Sequence, residues 1–514
     1  MLRGSFITRV VLLTLLSGYF IPHLSAQTKP KKKKIEFSAK ETKYDKKIGK
    51  GAKRLIGDVV FKHENIIMRC DSAWLFDDET LEAYKNVHIQ QGDSLHLYGD
   101  VLKYNGNTKK AELQKNIRMM DKDMTLTTDL LFYDAGKKVA NYTGGGKIVT
   151  KDNVLTSTYG NYFAESRELG FKKNVVLTNP EYVMHSDTLR YNTASGISYF
   201  HGPTTIRSNQ NFIYCEDGYY DTYKDLSRFS KNAWIRSGAQ RLSGDSLFYD
   251  RKRGVGAAKG NVAILDSAEK IRIVGQRAEY FEMTERSYVT GKPVLQQLFD
   301  KDTLYMGADT LRSEYLLKDS AGKKVPDHTH RILRGYHHVK IYKADLQGKC
   351  DSVAYTFADS VMRMYRLPVI WSDKEQITGK EIHLSMNRGS LKYMDITENA
   401  FIISSKDSIH YDQIKGRKMR GYFHDNELSL VHVEGNGQTI YFPEGDSSLI
   451  GVNRTDCSEM KIHIQSNSVK KIVFLTRPDG KLVPLKKYPS NELKLKGFVW
   501  REGERPLSPA DVSK

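Results

Sequence analysis

Cysteine is scarce in this sequence, and helical periodicity is almost absent from it. The four cysteines are too few, in 514 residues, to form a disulfide framework. We therefore expect free thiols, and only a pair between Cys350 and Cys457, near the C-terminus, is left open. Without the 3.6-residue period of amphipathic helices, the fold has to be built from strands.

Sequence motifs of enzyme active sites are also missing. The chain contains no nucleophile elbow, no dinucleotide fingerprint and no HExxH motif. The stretch TGGGKIVT (residues 143–150) lacks the G-x-x-x-x-G-K-[ST] spacing of a phosphate loop, so it predicts a strand turn. The histidines around Asp327 follow no spacing typical of a metal site. These absences favour a binding protein without cofactor or metal over an enzyme.

The N-terminus has the organisation of a secretory signal. Arg3 and Arg9 precede an apolar stretch (residues 10–21), and small residues lead to a cleavage site after Ala26. The apolar stretch is shorter than the ~20 residues that a membrane span needs. The sequence therefore predicts a signal peptide over residues 1–26, followed by a basic leader (residues 27–54), and an exported protein.

The net charge of the chain is strongly positive, at +19. A basic exported protein suits an anionic partner, such as a phosphorylated lipid, an acidic glycan or a membrane surface. Nucleic acid is not expected as a partner, because the chain is exported and carries no nucleic-acid-binding motif.

What the sequence does contain is a repeat of about 29 residues. The phrase SGDSLFYD (residues 243–250) has earlier copies, YGDVLKYN (98–105) and HSDTLRYN (185–192), whose acids are separated by three and two steps of 29. A catalytic constellation is needed once, whereas an element that recurs at a fixed step is architecture. Ser243, Asp245 and Tyr249 are therefore predicted to be scaffold.

A second phrase, Lys-Asn-apolar-x-apolar, alternates with the first. It reads KNVHI, KNIRM, KNVVL and KNAWI at four of its positions, and about twelve copies fall between residues 57 and 437. Its apolar residues alternate with polar ones, which is the period of a half-buried strand. In the Asp phrase the parity of the apolar residues changes at Gly-Asp or Ser-Asp, so a bulge is expected there, with the Asp bonded to local backbone.

These patterns predict the fold class. The protein is expected to be all-β, an elongated β jelly roll or taco-shaped β solenoid of about twelve two-strand repeats, roughly 60 Å long at ~4.8 Å per rung. Repeats are expected over residues 55–315 and 316–436. A protruding polar loop begins the second block (residues 316–331), and residues 437–514 form a C-terminal extension.

The strand phrases and G-D-x-L-x-Y-D turns of residues 54–437 resemble the organic-solvent-tolerance (OstA-like) proteins, and their long Bacteroidota-type members in particular. This family includes the periplasmic bridge protein of lipopolysaccharide transport and the periplasmic domain of the outer-membrane lipopolysaccharide translocon. This chain has about twice the repeats of the first and lacks the barrel of the second. The resemblance implies a non-enzymatic protein of the periplasm, with association with the outer membrane left open, that transports lipopolysaccharide or another lipid A-type lipid.

The implied site is a slot between two sheets that holds acyl chains. Its predicted lining is the inward apolar column: Val87, Ile89, Ile117, Met119, Val175, Leu177, Ile235, Val262 and Ile264. Its predicted phosphate-binding rim is the lysine of each Lys-Asn phrase: Lys85, Lys115, Lys173 and Lys231.

Other interpretations of the repeat stay open at this point. A closed, dry core would make the protein a structural or glycan-binding envelope solenoid without a lipid slot. An outer-membrane barrel is disfavoured by charges on the outward parity, as in NIRMMDKDMTL (residues 116–126). The unpaired end strands of a solenoid predict pairing with other jelly-roll components of the transport bridge, or with a second copy of the chain.

Overall fold

The structure is a computed structural model, which describes residues 34–44, 51–209, 211–299, 302–320, 322–387, 390–407, 409–425, 427–445, 448–465 and 468–514. The predicted signal peptide, together with parts of the basic leader, lies outside the described residues. In the described part of the chain, no helix has the length and apolar character needed to cross a membrane.

Strands account for about three quarters of the described residues and join into one sheet of 34 strands. The first eighteen are β1 (Glu36–Ser38), β2 (Glu41–Tyr44), β3 (Lys53–His63), β4 (Ile66–Leu75), β5 (Thr80–Gln91), β6 (Leu95–Asn105), β7 (Lys110–Asp121), β8 (Met124–Asp134), β9 (Val139–Val149), β10 (Val154–Phe163), β11 (Glu168–Asn179), β12 (Tyr182–Asn192), β13 (Ile197–Ser208), β14 (Asn211–Asp221), β15 (Leu226–Ser237), β16 (Gln240–Asp250), β17 (Val255–Asp266) and β18 (Ile271–Phe281).

The remaining strands are β19 (Arg286–Thr290), β20 (Val294–Leu298), β21 (Thr303–Gly307), β22 (Thr310–Ser320), β23 (Lys323–Lys343), β24 (Leu346–Thr356), β25 (Val361–Tyr365), β26 (Val369–Ser372), β27 (Glu375–Thr378), β28 (Glu381–Asn387), β29 (Ser390–Ser405), β30 (Tyr411–His424), β31 (Glu427–Tyr441), β32 (Val452–Gln465), β33 (Ser468–Leu475) and β34 (Asp479–Val483). Five short 3-10 helices complete the described structure: Glu282–Thr284, Leu485–Lys487, Ser490–Glu492, Glu502–Glu504 and Pro509–Ser513.

From β3 to β18 each strand pairs antiparallel with the next, and each pairing shifts register near mid-strand. The buried parity changes there too: in β6 residues 95, 97 and 99 are buried, and then residues 102 and 104. The sheet is therefore folded on itself along a line through the middle of its strands, which we call the fold line. We call its two halves wall 1 (for example residues 59–63, 87–91 and 117–121) and wall 2 (residues 53–56, 80–84 and 110–114).

At the fold line the extra residue lies on the Lys-Asn strand, so the predicted bulge at Gly-Asp was placed on the wrong strand. Between the paired regions of β5 and β6, both Lys85 and Asn86 stand opposite Asp100 alone, with φ angles of 61° and 49°. Asparagine tolerates this left-handed conformation better than most residues, which makes its strand the one that bends.

The repeated acid also has a different partner from the one expected. Asp71 accepts a 2.9 Å hydrogen bond from the side-chain amide of Asn86 on the next strand, and Asp100 accepts a 2.6 Å bond from Asn116. Asp245 accepts from Asn261 in the same way. The Asp and Asn phrases are therefore two halves of one cross-strand pair that fixes each bend.

Between β18 and β29 several strands break at the fold line instead of bending. β18 pairs with β19 in wall 2 and with β20 in wall 1, and β24 pairs likewise with β25 and β26. Pro293 and Pro368 stand at these two breaks. Because proline has no backbone N–H, a break is the least costly place for it.

The overlong repeat is a hairpin and not the predicted loop. The ends of β22 and β23 continue to pair beyond the body, from Leu316 with Asp327 to Ser320 with Lys323. Leu316 and Leu317 are exposed on this extension. Backbone pairing along the two arms of this extension leaves fewer backbone groups to water than a free loop would.

The predicted C-terminal boundary at residue 437 falls inside β31, and strands continue to β34. Residues 484–514, which we call the strap, then run back over the outside of wall 1. The buried side-chain amide of Gln413 donates to Leu493 O at 2.8 Å and accepts from Leu495 N at 2.8 Å, and Gln376 holds Val499 and Arg501 in the same manner. Apolar strap residues cover an otherwise exposed apolar patch that includes Phe401 and Phe442.

The architecture is thus an elongated, all-β, jelly-roll-like fold, as the sequence predicts. One continuous apolar core runs between the two walls from β3 to β32. All four cysteines are free and buried, which confirms the expectation from their number.

Candidate functional site

The interior is sealed in the N-terminal third of the body. The predicted lining residues Val87, Ile89, Ile117, Met119 and Val175 are all at most 2% exposed. Leu177 is buried as well. We call β3–β12 the closed section, because these side chains fill the space between the walls and leave no room for a ligand.

Three cross-wall pairs lock the closed section along the margin where the hairpin turns lie. His63 and Tyr104 are joined by a 2.7 Å hydrogen bond, and Tyr162 donates to Asp121 at 2.6 Å. The third pair joins Gln91 and Tyr133. In each pair the tyrosine lies in wall 2 and its partner in wall 1.

The middle pair is the most completely satisfied of the three. The Tyr133 hydroxyl donates to the side-chain oxygen of Gln91, whose amide nitrogen donates to Ala135 O at 3.0 Å. Burial raises the pKa of Tyr133, as it does for Tyr104 and Tyr162, so these hydroxyls stay protonated. A buried hydroxyl without its partner would destabilise the fold by about 1–3 kcal/mol, so the pairs hold the walls together.

The interior opens in the following strands, β13–β18, which we call the open section. One column of inward-facing residues runs along wall 1, with one residue from each strand. It is buried in the closed section, for example at Ile89, Met119 and Met184, and again at Leu295 in β20. In the six strands β13–β18 its residues are half-buried. The six half-buried side chains are Ile206, Ile213, Ile235, Leu242, Ile264 and Ile273. Two predicted lining residues, Ile235 and Ile264, are among them.

Only the margin of the open section is unsealed. Val262, the remaining predicted lining residue, lies nearer the fold line and is 1% exposed, and Cys215 is equally buried. Burial raises the pKa of the Cys215 thiol to about 12. The open section is therefore a shallow trough with a packed floor, lined along wall 1 by aliphatic side chains.

The tyrosines of the open section do not reach across the trough. Tyr220 donates to Asp225 at 3.0 Å and Tyr249 to Glu282 at 2.6 Å, and both acceptors lie in turns of the tyrosines' own wall. Farther along, Tyr280 is 42% exposed. The tyrosines thus join the walls in the closed section but not in the open section, where Arg251 in a wall 2 turn instead pairs at 3.3 Å with Glu181 in the wall 1 turn before β12.

Sequence reasoning missed these cross-wall pairs, although a signal for them is present. Tyr104, Tyr133 and Tyr162 are 29 residues apart, and the same step leads to Tyr191, Tyr220 and Tyr249. The wall 1 partners stand 41 or 42 residues before the first three tyrosines. At the corresponding places before the last three, the sequence has Thr150, Asn179 and Ser208, none of which is bonded to these tyrosines.

The predicted phosphate rim is not at the margin of the trough. Lys85, Lys115, Lys173 and Lys231 are exposed but lie mid-strand on the fold line, with φ angles between 57° and 66°. Lys231 Nζ is 3.8 Å from Asp217 there. The walls part at the turns and are joined at the fold line, so these ammonium groups do not flank the opening.

Two surface cavities lie outside the trough. One, of about 830 Å³, is formed on the outer side of wall 2 and includes Arg277, Glu279 and Tyr288. The other, of about 910 Å³, follows the fold line of the C-terminal strands past Asn399 and Gln438. The lining of the first is more apolar than polar and that of the second is about evenly divided, and neither includes any of the six half-buried side chains of the trough.

The folded stack of bent strands defines a class of protein, the elongated β jelly rolls that enclose an apolar interior between two walls. Residues 31–187 of the chain match the family model of OstA-like protein, which confirms the OstA-like resemblance in that part of the chain. A search of curated proteins found no match. The matched residues end within β12, so they cover almost all of the closed section and none of the open section, which begins at β13.

Proposed function

We propose that this protein is a non-enzymatic lipid carrier of the periplasm that takes part in lipopolysaccharide transport to, or assembly of, the outer membrane. In this proposal the acyl chains lie against wall 1 of the open section, and the headgroup remains in solvent. The observation that carries it is the run of six half-buried aliphatic side chains from Ile206 to Ile273, between fully buried members of the same column.

The energetic argument rests on apolar surface that the fold leaves uncovered. Burying a Leu or Ile side chain completely is worth about 1.5–3 kcal/mol, and part of that gain is unrealised at each of the six positions. An acyl chain gains about 0.8 kcal/mol for each methylene that it removes from water. A lipid in the trough therefore removes from water both its own acyl chain and the exposed part of the six aliphatic side chains.

The dimensions of the open section support an acyl ligand. Six neighbouring strands, at about 4.8 Å spacing, line a length of roughly 24 Å. One leaflet of the hydrocarbon core of a bilayer is about 15 Å thick. The trough is thus long enough to hold a fatty chain that lies along the stack.

The OstA-like match and the closed section support a division of labour along the body. The closed section has no space for a ligand, and we propose that it acts as a rigid support at the N-terminal end. At this end β1 and β2 pair with the two halves of β3, and no other strand of the described residues pairs with them. Pairing of this end with another jelly-roll component, or with a second copy of the chain, stays part of the proposal.

Photo-crosslinking tests the proposal at neighbouring positions of one strand. A photoreactive amino acid at Leu242 faces the trough, whereas at Ser243 it faces the outside of wall 1. Labelled lipopolysaccharide is expected to crosslink at Leu242, and at Ile213 and Ile264, with little product at Ser243. Ile89, in the same column but fully buried, is the matched control in the closed section.

The alternative of a glycan-binding solenoid is separated by competition. Deacylated lipopolysaccharide keeps the sugars and phosphates but has lost the acyl chains. If the acyl chains are bound, an excess of this competitor leaves the adduct at Leu242 almost unchanged. Efficient competition, or equal crosslinking at Leu242 and Ser243, contradicts the proposal and favours sugar recognition on the outer surface.

A further inference from the structure

The outer face of wall 1 carries an unusual row of side chains behind the open section. Five cross-strand pairs connect neighbouring strands in this row: Arg207 with Phe212, Phe212 with Arg236, Arg236 with Arg241, Arg241 with Leu265, and Leu265 with Arg272. The four arginines and Leu265 are exposed. Together with Trp234, these residues form what we call the arginine face.

Aromatic rings hold the arginines in place. Phe212 and Trp234 stack with ring centroids 5.3 Å apart. The Arg241 guanidinium lies 4.4 Å from the centroid of Trp234, and those of Arg207 and Arg236 lie 5.5 and 5.8 Å from that of Phe212. Cation–π contacts of this kind orient the guanidinium groups without neutralising their charge.

The charges of the arginine face are not balanced by acids. Within the described ranges, no carboxylate forms an ion pair with Arg207, Arg236, Arg241 or Arg272, in contrast to Arg190 on wall 2, which pairs with Glu168. Arg236 and Arg241 stand directly opposite each other, and like charges in that arrangement destabilise a sheet. Charge pairing within the sheet therefore does not account for this row.

We propose that the arginine face docks on the anionic headgroup surface of a lipid bilayer. Each basic residue near such a surface contributes about 1 kcal/mol, and guanidinium groups bind phosphates in bidentate geometry. Trp234 and the exposed Leu265 are side chains typical of the membrane interface. The face is the outside of a sheet, and the two surface cavities lie elsewhere, so a broad charged surface fits it better than a soluble sugar or polymer that needs a groove.

The arginine face lies directly behind the trough, on the other side of wall 1. The residues of wall 1 alternate between its two sides, so Arg236 and Arg241 are chain neighbours of the trough residues Ile235 and Leu242. Docking would hold the open section beside the membrane with one sheet between them. The inference does not require that the trough binds lipid, because the two surfaces lie on opposite sides of the wall.

Vesicle flotation tests the inference directly. The full mature chain is mixed with vesicles of phosphatidylcholine, with or without phosphatidylglycerol. Flotation is expected only with the anionic vesicles. The triple variant Arg207→Glu/Arg236→Glu/Arg241→Glu is expected to bind them at least about 100-fold more weakly, from ~1 kcal/mol for each lost charge contact.

The matched control has the same change in net charge on another surface. It is Lys85→Glu/Lys115→Glu/Lys173→Glu on the fold line, where the equivalent position of a later copy is naturally Glu398, with a φ of 50°. Its binding should stay within a few-fold of the unsubstituted protein. Equal loss in both triple variants means attraction by net charge alone and overturns the inference.

Two further measurements separate the remaining outcomes. Brominated anionic lipids should quench tryptophan fluorescence, and the quenching should disappear in Trp234→Phe. If soluble dextran sulfate binds through the arginines while vesicles do not, the face is a polyanion site and the membrane proposal is wrong. Ile213→Asp, which alters only the trough, should abolish lipid crosslinking but not flotation, so that each proposal can fail without the other.

Discussion

The closed and open sections are built from the same repeat, yet they differ in what lies between their walls. In the closed section the column of Ile89 and Met119 is fully buried, and tyrosines donate across the interior. In the open section Ile235 and Ile264 are half-buried, and the tyrosines turn to their own wall. The comparison teaches that one apolar column can be sealed or partly exposed, and that its burial coincides with tyrosine bonds between the walls.

The largest difference between the sections is expected for truncation of equivalent core residues. Leu97 and Leu242 occupy the same column, the first fully buried and the second half-buried. Leu97→Ala should lower the free energy of unfolding by about 2–5 kcal/mol and Leu242→Ala by about half as much, because less contact is lost. Urea denaturation of both variants gives the two values, and equal losses would mean that the open section is packed as tightly as the closed one.

Removal of a tyrosine hydroxyl should distinguish the sections less strongly. Tyr133→Phe leaves the buried amide of Gln91 without one partner and should cost about 1–3 kcal/mol. Tyr249→Phe removes a bond to the exposed Glu282 and should cost less than about 1 kcal/mol. Thermal unfolding of the two variants side by side measures the difference, and a larger effect at Tyr249 would contradict the assignment of the cross-wall pairs.

The comparison can also be sharpened by an attempt to close the trough. Ser208 stands 41 residues before Tyr249, which is the offset of His63 from Tyr104. Ser208→Gln supplies an amide of the kind that Gln91 offers to Tyr133, so it should reduce lipid crosslinking at Leu242. Ser208→Ala, which adds no partner, is the control; unchanged crosslinking in the Gln variant would show that a cross-wall bond at this place does not close the margin.

The smallest difference is expected at the fold line, where both sections are sealed. Cys70 and Cys215 are buried there, and burial raises their thiol pKa values to about 11 and about 12. Neither thiol should react appreciably with iodoacetamide in the folded protein at mildly alkaline pH, because the thiolate is the reactive form. Mass spectrometry of the alkylated peptides checks this, and fast labelling of Cys215 alone would show that the trough extends to the fold line.

Much of the fold could be predicted from the repeat, because side-chain alternation and turn residues are local properties. The two strands per repeat and the inward parity of Val87, Ile117 and Val262 follow from it. The bulge was predicted on the strand of the Asp phrase but lies on the neighbouring Lys-Asn strand. A parity change in the Asp phrase did not distinguish the two cases, because a bend in the neighbouring strand produces the same change. The lysines were expected at the rim and lie on the fold line for a related reason: nothing local shows which side of a folded sheet is joined.

The sequence by itself determined the all-β architecture, the 29-residue step and the identity of the apolar column, since each depends on residues close together in the chain. The location of the trough was decided only in the tertiary structure. Ile89 is buried where tyrosine bonds join residues about 40 positions apart on opposite walls, and Ile235 is half-buried where the tyrosines bond within their own wall. The distance between two walls is a property of such long-range contacts, and the periodicity of either wall alone does not contain it.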